Sequence, residues 1–332
     1  MKKTLESLFQ QKPLSQEVAY EHMKAIAEGE IPPEQVAAFL SVFRMRRITL
    51  TEFIGFRKAM QEKADKLDLG EPKTIDLCGT GGDGKDTFNI STLTAFVVAG
   101  AGAKVAKHGN YGVSSISGSS NVLEALGHTF TAHPESLKKQ LAKAGICILH
   151  APLFHPAMKK VAPIRKALGV KTFFNLLGPM VNPASPSHQF TGVYGYELAR
   201  LYHYVLQKEN RTYCIVHSSD GYDEISLTSA YKCYSNTGTA LYQPGISVRF
   251  QPVSAYELKG GRTIQEAADL FVNILRGRGT ISQEQVVLAN AAHALHTYYP
   301  QLTLEACYEK ARISLKEKQA FTAFETFINL PS

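Results

Sequence analysis

The chain has 332 residues, of which 44% are hydrophobic and 20% charged, and its formal net charge is +7. That is enough material for one large domain with an appendage, or for two domains with real cores. No run approaches the ~18–20 uninterrupted apolar residues of a membrane helix, and the positive excess fits a polyanionic small molecule as well as a nucleic acid.

The start, MKKTLESLFQQKPLSQE, has no apolar stretch of signal-peptide length, because Glu6, Gln10, Gln11 and Lys12 interrupt it; the expected location is cytoplasmic. Residues 1 to about 70 read as all-helical. Pro13-Leu14-Ser15 caps a helix with Val18, Ala19, His22, Met23 and Ile26 along one side, and Gly29 stops it. Ile31-Pro32-Pro33 opens a second helix carrying Ala37, Ala38, Leu40 and Phe43, and Thr49-Leu50-Thr51 a third with Phe53, Phe56 and Met60.

From Lys73 the pattern changes to short apolar strands alternating with helices, the signature of a mainly parallel sheet with covered faces. Strands are expected at 74–78, 103–106, 146–150, 190–194 and 213–217. Helices are expected near 91–101, 119–126, 135–143, 157–167 and 197–208, with closing helices near 263–276, 282–297 and 303–328. The stretch 156–187, helical and then rich in Gly, Pro and Asn, reads as a return to the helical layer. The expected class is α/β: a small helical domain (1–70, joined by 156–187) and a larger α/β domain with a mainly parallel central sheet (71–155 and 188–332). Five cysteines, Cys78, Cys147, Cys214, Cys233 and Cys307, lack C-x-x-C spacing. They point to free thiols in a reducing compartment and away from a structural zinc site.

Ligands in such sheets bind beyond the carboxyl ends of the strands, and the polar motifs collect there. TIDLCGTGGDGKDTFNIS, residues 74–91, is a strand, a glycine turn and a helix opening. Gly79, Gly81, Gly82 and Gly84 let the backbone take positive φ and approach a ligand, and Thr80, Thr87, Asn89 and Ser91 add short polar side chains. The following helix would aim its free N–H groups at the same point. The spacing matches neither a Walker loop nor a dinucleotide fingerprint. Asp83 inside this cradle makes sense where a cation or a sugar hydroxyl binds too. After the second strand, Lys107-His108-Gly109-Asn110 leads through a hydroxyl-rich loop to a helix capped at Ser117 or Ser119, a second anion site. Two such loops on adjacent strands call for a ligand with more than one phosphate.

After the fifth strand comes His217-Ser218-Ser219-Asp220-Gly221-Tyr222-Asp223-Glu224. Adjacent carboxylates in an extended segment diverge, so Asp223 and Glu224 would serve two ions rather than chelate one; Mg²⁺ held with phosphate oxygens needs only one or two protein carboxylates. His155 and Arg165, on or beside the helix after strand 146–150, are spaced close to three helical turns apart, and Arg165 offers a bidentate fork for a carboxylate. Taken singly, each motif also has a plain reading: a glycine-rich turn, a serine-rich linker, a solvated acidic turn, a surface ion pair.

Taken together and in order, Gly79-Thr80-Gly81-Gly82-Asp83, Asn89-Ile90-Ser91-Thr92, Lys107-His108-Gly109-Asn110, Ser117-Gly118-Ser119, Phe174-Asn175-Leu176-Leu177-Gly178-Pro179 and Asp223-Glu224 make the chain resemble the anthranilate phosphoribosyltransferase family of tryptophan biosynthesis over nearly its whole length. The resemblance implies an active site in a cleft between the two domains and a homodimer formed through the helical part. It implies that phosphoribosyl pyrophosphate (PRPP) is held by Gly79, Gly82, Asp83, Thr87, Asn89, Ile90, Ser91, Thr92, Lys107, His108, Gly109, Asn110, Ser115 and Ser119. It implies Mg²⁺, as two ions, bound through Ser91, Asp223 and Glu224, and anthranilate placed by Gly79, Asn110 and Arg165. Lys107, Arg165, Asp223 and Glu224 would carry the catalysis. Two positions depart from the family pattern: Asn121 stands where Asp is usual, and Lys171 where Arg usually precedes Thr-x-Phe-Asn. Pyrimidine nucleoside phosphorylases and nucleic-acid-binding relatives share the architecture. The Lys-His-Gly-Asn run and the Asp-Glu pair weigh instead for metal–pyrophosphate chemistry, with no nucleic-acid or membrane partner expected.

Overall fold

The computed structural model describes residues 1–112, 117–246 and 250–330. Four helices open the chain: α1 (Lys2–Phe9), α2 (Gln16–Glu28), α3 (Pro33–Met45) and α4 (Leu50–Glu62). Then come β1 (Ile75–Leu77), α5 (Ile90–Gly100), β2 (Val105–Gly109), α6 (Ser119–Ala125), α7 (Pro134–Ala144) and β3 (Ile146–His150). A helical passage follows, α8 (Ala151–Phe154), α9 (Pro156–Leu168) and α10 (Phe174–Leu177). The remainder is β4 (His188–Gly192), α11 (Tyr196–Leu206), β5 (Thr212–Ser218), β6 (Tyr231–Ser235), β7 (Gly238–Tyr242), α12 (Ile264–Leu275), α13 (Ile281–Tyr298), α14 (Leu304–Lys316) and α15 (Gln319–Asn329).

The helical unit is discontinuous, Met1–Leu67 with Ala151–Ser185. Ser15 and Thr49 cap α2 and α4 through their side chains, and Gly29 ends α2 in the left-handed conformation at φ +74°. Its core is aromatic: Phe43 meets Phe56 edge-on at 5.3 Å, and Phe173 stacks on Phe56 at 4.6 Å. Phe173 thus fastens the later segment to α3 and α4, as does Arg57, whose Nε donates to the Met180 carbonyl at 2.8 Å. The Asp65 N–H donates to the Phe154 carbonyl and the Leu67 N–H to that of Pro183. These bonds bring 151–155 into the helical unit, so the boundary falls a few residues before the 155/156 expected from the sequence.

The second unit is Asp68–His150 with Pro186–Ser332. Among the described residues its sheet has seven strands in the order β3-β2-β1-β4-β5-β6-β7, parallel from β3 through β5 and antiparallel at β6 and β7. Helix α5, Ile90–Gly100, is buried nearly all round, as its run of Leu93, Ala95, Phe96, Val97 and Val98 requires. It packs on α13 and α15, with Phe96 edge-on to Phe271, Phe324 and Phe327. Rigid seating of α5 fixes where its amino end points.

Three expectations change. The hairpin β6–β7 adds two strands to the five read from sequence; β7 is a largely exposed edge strand, so it carries no buried apolar run to reveal it. The helix expected over 303–328 is two, because Lys318 takes φ +63° and breaks the ladder. Strand β2 runs to Gly109 rather than ending at Ala106, which places Lys107 and His108 inside the sheet.

Glu52 anchors the helical unit. It is fully buried and accepts hydrogen bonds from the Leu14 N–H, the Thr49 N–H and hydroxyl, and Arg46. Burial alone would raise its pKa, but Arg46 and these donors outweigh it and hold the carboxyl below its ordinary value. Glu52→Ala removes one side of a buried pair and is expected to lower unfolding free energy by about 3 kcal/mol, measured by denaturant titration, with Glu52→Gln losing distinctly less.

Candidate active site

The sheet reverses direction at β1. From β1 the chain crosses to β2 on one side, while β4 and then β5 extend the other, so β1 and β4 flank a topological switch point whose crevice lies beyond their carboxyl ends. Here the backbone is packed with little tolerance. The Thr80 N–H donates to the Gly192 carbonyl at 3.0 Å, tying the turn after β1 to the end of β4. A Cβ on Gly192 would lie 1.6 Å from the Asp223 carbonyl oxygen, and one on Gly79 would lie 2.8 Å from Asp223 Oδ2. The Gly81 N–H donates to that Oδ2 at 2.6 Å. Gly81, Gly82 and Gly84 take φ of +62°, +80° and +72°. Gly79 does not take positive φ, and what requires glycine there is the close approach of Asp223. The Ser91 backbone, at the amino end of α5, lies near enough to favour the charged form of the Glu224 carboxyl.

The second loop is locked to the first. Asn89 Nδ2 donates to the Ser117 carbonyl at 3.1 Å. The Asn110 carbonyl accepts the Ser119 hydroxyl at 3.1 Å and the Ser120 N–H at 3.3 Å. Asn121 Oδ1 accepts both the Gly112 and the Gly118 N–H at 3.0 Å, drawing the loop shut at its neck. An aspartate oxygen would accept the same two donors, which accounts for the Asn-for-Asp departure; Lys171 has no such account. Lys107, expected at a strand end, is instead buried in β2 with its Nζ donating to the Leu77 carbonyl, and the His108 N–H donates to the buried Asp76 Oδ1 at 3.0 Å. Gly109 closes β2, and a Cβ there would stand 3.0 Å from Ser119 Oγ. Thr87 pairs with Lys259 in a single bridge. Ser115 lies outside the described residues.

Around these loops Thr80 Oγ1, Thr92 Oγ1 and Ser117 Oγ are buried with no hydrogen-bond partner among the described residues. Buried hydroxyls are ordinarily satisfied, and these three belong to the turn after β1, the first turn of α5 and the residue before Gly118. Ile90 is buried at the head of α5 and contributes backbone only.

The acidic pair sits in a loop, not an extended strand, and each carboxyl lies within the other's field. Burial first, then the nearby Asp83 charge, pushes Asp223 up to about 7, against the Gly81 hydrogen bond. Burial and then Asp223 raise Glu224 well above the ordinary carboxylate range, with Lys107 opposing. Asp83, Asp223 and Glu224 act on one another electrostatically, and oxygen donors beside backbone N–H groups are the kind that suits a hard divalent cation shared with phosphate oxygens.

In the helical unit, Arg165 donates from a terminal nitrogen to Asn175 Oδ1 at 3.2 Å and lies over the Phe174 ring at 5.5 Å. The Thr172 N–H holds the same Asn175 oxygen at 3.1 Å. Burial holds the Arg165 pKa below its ordinary value and pushes His155 down to about 4, so that His155 is a neutral core residue beside α9. Sequence reasoning missed Gly192, Asp76 and the roles of Asn121 and Asn175. An acid in the fully buried Ile75-Asp76-Leu77 strand was a usable signal; the closeness of Gly192 to Asp223 was not visible without the fold.

Residues 71–321 match the glycosyl transferase family a/b domain, and residues 2–64 match that family's helical bundle domain. An anthranilate phosphoribosyltransferase of Flavobacterium johnsoniae is 55% identical over 298 residues, 90% of each chain. The crystal structure of anthranilate phosphoribosyltransferase from Thermus thermophilus superposes with a TM-score of 0.90 at 33% identity, covering 98% of each chain. The Saccharomyces cerevisiae enzyme in complex with PRPP and Mg superposes with a TM-score of 0.89 at 26% identity, covering 98% of this chain and 96% of that one.

The raised Asp223 pKa has a sign. Its carboxyl stays protonated in the native state well above its ordinary 3.8, so its contribution to stability is fully present below about pH 4 and is lost as pH rises through about 7. In chelator-treated protein, Asp223→Asn should remove that loss: wild type and variant respond differently to pH between 4 and 8, and the variant is the more stable at pH 8, as read by melting curves. Asn121→Ala should speed amide exchange at Gly112 and Gly118 by at least about tenfold with little change in global stability, while Asn121→Asp keeps the protection.

Proposed function

This chain belongs to the anthranilate phosphoribosyltransferase family, and from that membership we infer how its residues divide the reaction. It transfers the phosphoribosyl group of PRPP to the amine of anthranilate, giving N-(5-phosphoribosyl)anthranilate and pyrophosphate, a step of tryptophan biosynthesis. The observation that carries the assignment of roles is the convergence of the 79–83 turn, the amino end of α5 and the Asp223–Glu224 pair at one switch point.

PRPP is held by Gly79, Gly82, Asp83, Thr87, Asn89, Ile90, Ser91, Thr92, Lys107, His108, Gly109, Asn110, Ser115 and Ser119. The unpartnered hydroxyls of Thr80, Thr92 and Ser117 support that placement. Ser91, Asp223 and Glu224 hold Mg²⁺ as two ions, which when bound neutralise negative charge on the pyrophosphate. The bond from ribose C1 to pyrophosphate breaks as the amine arrives, with charge building on the leaving oxygens. The N–H groups of the glycine turn meet that charge in a pre-formed array. Lys107 adds a positive field from within β2, where one of its three donors is spent on the Leu77 carbonyl.

Anthranilate's amine is neutral at working pH, so attack needs orientation more than a base. Arg165, braced by Asn175 and Phe174, grips the carboxylate, with Gly79 and Asn110 completing the anthranilate site and Asn110 turning the amine toward C1. The enzyme works in the cytoplasm as a homodimer. Five free cysteines support a reducing compartment; among the described residues no helix is long and apolar enough to cross a membrane. Exposed Phe9 and Met45 on the helical unit support a subunit contact there.

Anthranilate fluorescence should fall when protein, PRPP and Mg²⁺ are all present and stay constant when any one is omitted. Arg165→Ala should raise the KM for anthranilate by about tenfold or more with the KM for PRPP changed by less than about twofold; equal effects on both substrates would remove Arg165 from the anthranilate site.

A further inference from the structure

Behind the hairpin, three side chains with no part in the transfer reaction meet in the core. Strands β5 and β6 are antiparallel with Cys214 opposite Ser235 and Val216 opposite Cys233. Because alternate residues share a face, Cys214 and Cys233 project from the same side of the sheet as diagonal neighbours. His293 comes down on them from α13. Cys214 Sγ, Cys233 Sγ and a His293 ring nitrogen all lie within 4.8 Å of one another, the one such group of three among the described residues. All three residues are buried.

The imidazole is oriented, not merely packed. Its Nδ1 stands 3.9 Å from Cys233 Sγ, while Nε2 is 3.0 Å from the hydroxyl of the fully buried Tyr231. A ligand histidine is ordinarily fixed through its second nitrogen by a hydrogen-bond partner of this kind. The rings of Tyr231 and Tyr242, stacked at 5.2 Å, wall the group from solvent. Buried cysteines alone are ordinary core residues; two sulfurs faced by a braced imidazole nitrogen are a donor set.

We propose that Cys214, Cys233 and His293 form a binding site for a soft monovalent d¹⁰ metal ion, Cu(I) by its chemistry. Two sulfurs and an imidazole, with no oxygen ligand, select a thiophilic ion. Structural zinc sites are almost always closed by four ligands, and this group offers three in a buried setting, a number suited to a soft monovalent ion. Binding forms metal–ligand bonds only and involves no redox step. The ion would clip the β5–β6 hairpin to α13. The sequence spacing, which argued against a structural zinc site, is silent here because the ligands lie on three separate elements.

The test is an anaerobic titration of the reduced full-length chain with Cu(I) presented as its bicinchoninate complex, followed by the chelator's colour. Wild type should withdraw one equivalent more than Cys214→Ser or Cys233→Ser, and its melting temperature should rise with Cu(I) while those of the variants stay fixed. His293→Gln, which keeps both thiols, should weaken uptake by about 100-fold, and Tyr231→Phe by about 10-fold. Equal uptake by wild type and the cysteine variants would assign the copper to the remaining thiols and overturn the proposal. So would full affinity in His293→Gln, which decides the matter even where a cysteine variant fails to fold. Displacement of bound Cu(I) by equimolar Zn²⁺ would overturn the choice of ion.

Discussion

The contact on which the site depends is that of the Asp223 backbone with Gly192. With the Asp223 carbonyl 1.6 Å from where any side chain at 192 would begin, the loop after β5 lies directly on the end of β4. That proximity carries the Asp223 carboxylate over Gly79 and onto the Gly81 N–H, and sets Glu224 at the mouth of α5. Three pieces of chain distant in sequence become one crevice because two glycines leave room for a backbone and a carboxylate.

Charging carboxyls there is unfavourable, since burial and mutual repulsion raise both Asp223 and Glu224. The surrounding fold supplies the rigidity that keeps them in place. Helix α5 is wedged between the sheet and α13 with scarcely an exposed side chain, so its amino end cannot drift to relieve the crowding.

Much of this was legible in the residues. Apolar strands alternating with helices gave the α/β class, and the glycine run marked the turn after β1, because the positive φ of Gly81, Gly82 and Gly84 demands that residue type. What stayed hidden was what depends on spatial neighbours. Lys107 was expected to reach from a strand end, yet β2 continues past it to pair with β3 in register, Lys107 opposite Ile148. The Asp223–Glu224 segment was expected to be extended, but it is a loop bent over Gly192. The edge strand β7 escaped notice because exposure removes the apolar signal. Asn121 looked like a departure until its two backbone donors were seen, after which oxygen is the only property the position requires.

The discontinuity of the helical unit has a consequence for how the chain is made. Phe56 leaves the ribosome early, while Phe173, which stacks on it at 4.6 Å, belongs to a segment synthesised only after three strands of the sheet. At translation speeds of ~5–20 residues per second, that aromatic face waits on the order of ten seconds for its partner. During that interval the nascent helices present a greasy, half-built surface, a natural resting place for a chaperone or for the same surface of a neighbouring nascent chain.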